Sequence, residues 1–140
     1  ADKITIQNLL QHRSGIYNLT NAADYETEWS TKYFSKEALL KKIASVKNVF
    51  APDEKSEYSN SNYILLTFIA EDITKKSYGD LLQEMIIQPL GMNHTFLGKK
   101  INGNNNEAFS YTKSYSKSWV IHPETDMSIP LGAGAVVSTP

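Results

Sequence analysis

The chain has 140 residues, and its fourteen basic and fifteen acidic side chains leave a net charge of −1, so no electrostatic footprint points to nucleic acid or to an anionic membrane. It has no cysteine, which excludes disulfides, thiolate metal sites and a cysteine nucleophile, and suits either redox compartment. A domain of this length buries about 70% of the surface its unfolded chain exposes; its longest apolar run, Tyr63 to Ala70 with Thr67 inside it, is far short of the ~20 residues a membrane span needs.

No signal-peptide pattern is present, and a start at Ala1-Asp2-Lys3 without an initiator Met reads as a processed or excised product. Thr5 is placed to cap a short helix whose Ile6, Leu9 and Leu10 fall at i, i+3 and i+4, with Ser14-Gly15 as its stop. From Asn18 to Tyr33 polar residues and scattered aromatics show no sustained period, which predicts an irregular surface loop anchored by Trp29 and Tyr33. Ser35 then precedes a helix in which Leu39, Leu40, Ile43 and Val46 form one apolar stripe opposite Lys41, Lys42 and Lys47.

Ala51-Pro52-Asp53-Glu54-Lys55-Ser56 reads as a turn, since Pro fixes its backbone angle and Asp favours local hydrogen bonds. From Asn60 to about Thr74 the chain is apolar on most faces, with Tyr63, Ile64, Leu65, Leu66, Phe68, Ile69 and Ile73, so a helix here is central and largely buried. Ser77 and Asp80 form a shortened capping box, after which Tyr78, Leu81, Leu82, Met85 and Ile86 keep helical spacing until Pro89-Leu90-Gly91. Beyond Gly98 the helical patterning stops. Residues 102 to 106 read as an exposed turn, Ser118 to Ile121 as a short strand, and Leu131 to Val137 as small residues suited to close backbone packing.

Tyr58-Ser59-Asn60 has two readings. In one, a tyrosine packs before a helix whose N-cap is Asn60. In the other, a phenol sits on a rigid base near the positive end of a helix dipole, where negative charge is favoured. Because a phenol in water titrates near pH 10, a base at neutral pH needs a cation beside it as well. Lys55 is the nearest in sequence, but on an exposed turn it reads as a solvated charge. His12, His94 and His122 lie in separate segments, none with a second ligand at i+3 or i+4, so neither a metal site nor any other cofactor is expected. Arg13, the one arginine, reads as a salt-bridge or carbonyl-binding group near the end of the first helix.

Four blocks around this element resemble, in order, stations of the serine β-lactamase and penicillin-binding-protein family, in its class C-like branch with D-alanyl-D-alanine carboxypeptidases and related esterases. Residues 4–16, with Thr5, Leu9-Leu10, His12 and Ser14-Gly15, are similar to its T-x-x-x-L-L-x-H-x-S-G stretch. Tyr58-Ser59-Asn60 with Tyr63 and Leu66 is similar to Y-S-N-x-x-Y-x-x-L, Pro89 to Thr95 to P-L-G-M-x-x-T, and Gly132 to Thr139 to A-G-G followed by two hydrophobics and S-T.

The resemblance implies a mainly α fold: the helical domain of the β-lactamase/DD-peptidase fold, residues 1–140 as a single domain of a larger hydrolase, with short strands at its C-terminal end. It implies acyl-enzyme chemistry built on Ser-x-x-Lys, Tyr-x-Asn and a C-terminal Lys/His-x-Gly, of which this chain matches only the second. Tyr58 would move protons between nucleophile, substrate nitrogen and attacking water, and Asn60 would hydrogen-bond the substrate's acyl amide. Ser59 would point elsewhere, and His12 and His94 would make structural hydrogen bonds. The missing cation would be the lysine of a Ser-x-x-Lys roughly 40 to 60 residues before Ala1.

Ser110-Tyr111-Thr112-Lys113 and Ser114-Tyr115-Ser116-Lys117 also fit Ser-x-x-Lys, but with fourteen serines and thirteen lysines about one chance match is expected. Both follow the Tyr-Ser-Asn element and lack helical patterning. The implied partners are a β-lactam or peptidoglycan-type small substrate and the remainder of the parent hydrolase, in an extracytoplasmic setting, and the chain alone is expected to be inactive. A non-catalytic peptidoglycan-binding or sensory relative is the alternative, and a self-sufficient helical interaction module with accidental motifs is a third.

Overall fold

The computed structural model describes residues 3–139; the chain start at Ala1-Asp2 and the final Pro140 lie outside the described residues. It is helix-rich with four short strands. Helix α1 (Ile6–Leu10) opens with the expected Thr5 cap, whose hydroxyl accepts from the Asn8 amide while the Asn8 side chain accepts from the Thr5 N–H. Helix α2 (Lys36–Ala44) starts at Ser35, whose side chain accepts from Ala38 N. It buries Leu39 and Ile43, whereas Val46 lies beyond its end and is exposed.

Helix α3 (Asn60–Thr74) is the central element, closed by Lys75 in the left-handed region at φ 59°. Its Ile64 and Phe68 join Leu19, Tyr25, Trp29, Leu39, Ile43 and Ile129 in one core. Ser61, Asn62 and Thr67 are also buried on α3, while Ile73 is exposed. This helix therefore carries a polar stitching face as well as an apolar one.

Helix α4 (Tyr78–Leu82) begins at Ser77, whose hydroxyl accepts from Asp80 N. It runs through a π turn (Gln83–Ile87) into α5 (Gln88–Leu90). Gly91 at φ 64° ends the run, which a side chain-bearing residue does only with strain. Strand β1 (Phe96–Leu97) pairs antiparallel with β4 (Val136–Val137), and β2 (Tyr111–Lys113) forms a separate hairpin with β3 (Trp119–Ile121). No helix of the described residues is long and apolar enough to cross a membrane.

The segment expected to be an irregular loop is more ordered than its composition suggests. It contains a 3-10 turn (Leu19–Asn21) and a π turn (Tyr25–Trp29), and it delivers Leu19, Tyr25 and Trp29 to the core. Trp29 anchors it as expected, packed edge-on against Tyr25 at 4.7 Å and Phe34 at 5.4 Å. Tyr33 does not, since it is 75% exposed.

Candidate functional site

The segment that carries Tyr58 is clamped from outside. His12, held in the left-handed region at φ 55°, accepts the Glu57 N–H on its carbonyl at 2.9 Å. Its Nδ1 accepts the Ser59 N–H at 3.2 Å and lies 3.3 Å from the Asn62 amide nitrogen. Because Nδ1 acts as acceptor, the proton of the neutral ring sits on Nε2. The same ring stacks at 4.6 Å on Tyr58 and at 5.2 Å on Tyr63. One residue thus fixes the backbone on both sides of Tyr58 and supports its ring.

Two polar side chains of α3 tie it to residues 14–19. Ser14 Oγ donates to Asn62 Oδ1 at 2.6 Å, and Ser61 Oγ donates to the Tyr17 carbonyl at 2.7 Å while accepting from Leu19 N at 3.0 Å. The turn before α3 is held by Arg13, which pairs with Asp53 Oδ1 at 3.1 Å and also donates to the Asp53 carbonyl. Both contacts expected of Arg13 are made. Its guanidinium and, next, the Asn8 amide hold the Asp53 carboxyl below the usual carboxylate range.

On this base Tyr58 is 63% exposed, and its hydroxyl donates to Asn60 Oδ1 at 3.0 Å. Asn60 is the first residue of α3, not its cap; the cap position is Ser59, which makes no side-chain capping bond. Ser59 is buried, and its hydroxyl has no hydrogen-bond partner among the described residues. The Asn60 N–H donates to Asn18 Oδ1 at 3.0 Å and its side-chain amide to Thr20 Oγ1 at 2.9 Å. Both candidate site residues therefore sit together at the N-terminus of a 15-residue helix with no acidic residue in its first turn, where the helix dipole favours negative charge.

Asn60 opens onto a groove of about 390 Å³ shared with Thr20, Tyr25, Glu26, Thr125 and Met127. Burial, and to a smaller extent the Glu26 charge, raise the Tyr25 phenol above its ordinary value. Lys55 is engaged elsewhere: it pairs with Glu57 at 2.7 Å and covers the Phe50 ring at 4.9 Å. The cation that Tyr58 needs is not supplied by this lysine.

The two serines in Ser-x-x-Lys patterns lie on or beside the β2–β3 hairpin. A strand sends residues i and i+3 to opposite faces, so Ser110 and Lys113 do not converge, and Lys113 lies instead over the Trp119 ring at 5.3 Å. Lys117 occupies the tight turn at φ 63°. Among the described residues, no three His, Asp or Glu side chains gather closely enough to hold a metal. His12 makes the structural hydrogen bonds expected of it. His94 does not: it is exposed and forms no side-chain hydrogen bond among the described residues, because the Thr95 hydroxyl next to it makes the tie, to Ser138 Oγ at 2.7 Å.

The Asn18 to Tyr33 stretch was a candidate lining of the groove as a whole, but its Asn18, Thr20 and Glu26 could not be singled out, because the stretch has no periodicity. The clamp role of His12 carried one signal, its place two residues before Ser14-Gly15.

The beta-lactamase family model matches residues 1–140. Protein flp of Staphylococcus aureus (strain MRSA252) is 30% identical over 126 residues, 90% of this chain and 25% of flp. The structure of a D-stereospecific amidohydrolase from Streptomyces sp. matches with a TM-score of 0.82 at 25% identity, over 97% of this chain and 43% of that one. D-amino acid amidase from Ochrobactrum anthropi SV3, complexed with L-phenylalanine amide, matches with a TM-score of 0.82 at 28% identity, over all of this chain and 40% of the amidase. The chain thus spans about a quarter of the length of the curated relatives it matches.

Proposed function

The chain belongs to the beta-lactamase family, and on that premise we propose that it is the mainly α, helical domain of a serine hydrolase, supplying one wall of an active site completed by the rest of the parent. The parent cleaves an amide, a D-Ala-D-Ala-type peptide, a β-lactam or a related ester through an acyl-enzyme. The observation that carries this reading is the exposed Tyr58, whose hydroxyl lies 3.0 Å from Oδ1 of the groove-lining Asn60. That arrangement joins a proton-transfer group directly to an amide-binding group that lines the groove.

In this reading a serine from outside the chain attacks the substrate carbonyl and gives up its proton to Tyr58, which acts together with the lysine of the same external motif. The leaving nitrogen takes a proton from Tyr58, and water then releases the acyl group by the same route in reverse. Asn60 now accepts from Tyr58 and donates to Thr20. A substrate N–H that reaches Oδ1 displaces the Tyr58 hydroxyl, freeing it for chemistry. The reading puts the parent's work outside the cytoplasm, where peptidoglycan-type substrates lie.

Labelling with a fluorescent penicillin tests the proposal. The whole protein carries one covalent adduct on a serine outside residues 1–140, and the chain alone stays unlabelled. An adduct mapped to Ser110 or Ser114, or a labelled isolated chain, contradicts it.

A further inference from the structure

The Asn60 side chain belongs to a run of hydrogen bonds whose direction is fixed by the backbone. The Asn60 backbone N–H donates to Asn18 Oδ1 at 3.0 Å. A backbone N–H can only donate, so the Asn18 amide has its oxygen on that side and turns its nitrogen to Asn21 Oδ1, 3.2 Å away. The Thr20 hydroxyl lies 3.0 Å from the same Asn18 oxygen. A carbonyl oxygen only accepts and a hydroxyl carries one proton, so Thr20 donates to Asn18 and can only accept from Asn60. The Asn60 atom 2.9 Å from Thr20 Oγ1 is therefore Nδ2, which leaves Oδ1 to the Tyr58 hydroxyl at 3.0 Å. The turn that carries Thr20 is itself held. Asn21 N donates to the Asn18 carbonyl at 2.9 Å, and the buried Leu19 donates its N–H to Ser61 Oγ at 3.0 Å.

Resting on the hydrolase reading above, we propose that Thr20 is a positioning residue for the reaction. Its hydroxyl fixes the Asn60 amide with Oδ1, not Nδ2, turned to Tyr58 and the incoming substrate, and so favours substrates that offer an N–H at that point. Turning the amide over would set its oxygen against Thr20 Oγ1, whose proton is already engaged by Asn18, and two acceptors would face each other. Without the hydroxyl both orientations are open, and Asn60 meets a substrate N–H or a substrate carbonyl equally well.

Two measurements on the whole protein test this. In protein labelled with nitrogen-15 asparagine, NMR follows exchange of the Asn60 side-chain amide with water, its signal identified by loss in Asn60→Asp. Exchange is slower than at the exposed Asn104 in the wild type and in Thr20→Ser, and becomes fast in Thr20→Val and Thr20→Ala, which lack the hydroxyl. Acylation by a penicillin with an acylamino N–H is about three- to tenfold faster than by its N-methyl analogue, the ratio of one hydrogen bond. That ratio is kept in Thr20→Ser and falls toward one in the Val and Ala variants. Fast exchange at Asn60 in the wild type, equal acylation by the two compounds, a ratio unchanged without the hydroxyl, or one lost equally in Thr20→Ser overturns the assignment. Slow exchange that depends on the Thr20 hydroxyl, in a protein that neither penicillin acylates, keeps the Thr20–Asn60 assignment and loses the hydrolase reading. Acylation that is indifferent to Thr20 does the reverse.

Discussion

His12 Nδ1 is where the residues around Tyr58 converge: it accepts from Ser59 N and faces the Asn62 amide while the ring lies under Tyr58. Removing the acceptor leaves two donors without a partner, at about 1–3 kcal/mol, and the φ of 55° is shared by histidine and alanine side chains alike. Asparagine carries an acceptor close to the Nδ1 position and tolerates the left-handed region. His12→Asn is therefore expected to keep most of the unfolding free energy in urea, His12→Ala to lose about 1–3 kcal/mol, and His12→Gln to fall near Ala because its acceptor lies too far out. Equal losses for Asn and Ala would assign the clamp to ring stacking and not to Nδ1. Such a role was only half visible in the sequence: the spacing of His12 from Ser14-Gly15 marked a special position, but nothing local says that its partner lies 47 residues away.

At the scale of elements, the first and last of the four sequence blocks are joints to α3. The first is sewn to α3 through Ser14–Asn62, and the residue that follows it through Tyr17–Ser61. The last reaches α3 through Gly132, whose N–H donates to Thr67 Oγ1 at 3.0 Å, an approach that a Cβ at 2.4 Å from that oxygen would block. Gly15 is the most constrained joint. At φ 74° its carbonyl accepts from Val49 N, and an added Cβ would sit 2.0 Å from the Phe50 carbonyl oxygen. Gly15→Ala is expected to cost about 2–5 kcal/mol, combining backbone strain with overpacking. Since this joint sets the approach of the segment before Tyr58, a urea midpoint unchanged from the wild type would refute it. Helix α2 was legible because its apolar period and its Ser35 cap coincide, and α3 through its apolar run around Ile64 and Phe68 alone. The π turns and the buried Leu19 and Tyr25 were not, because tertiary packing alone orders a stretch that has no period of its own.

At the scale of the whole molecule, the proposed proton-transfer element Tyr58-Ser59-Asn60 has no Ser-x-x-Lys ahead of it in these 140 residues. Tyr58-Ser59-Asn60 was readable as a candidate only through the blocks around it. Its spatial neighbours Thr20 and Glu26 required the fold, because the groove forms where the π turn, the start of α3 and the segment around Thr125 meet. The family match over residues 1–140 rules out accidental motifs, and the short share of the relatives that the chain spans fits a wall completed by other parts of the parent. The most direct measurement of that account is the rate at which the whole protein is acylated by a fluorescent penicillin, compared with its Tyr58→Phe variant. Loss of a positioned proton-transfer group is expected to slow acylation about a hundredfold or more with the circular dichroism spectrum unchanged, whereas acylation of the variant at the wild-type rate would contradict a catalytic role for Tyr58.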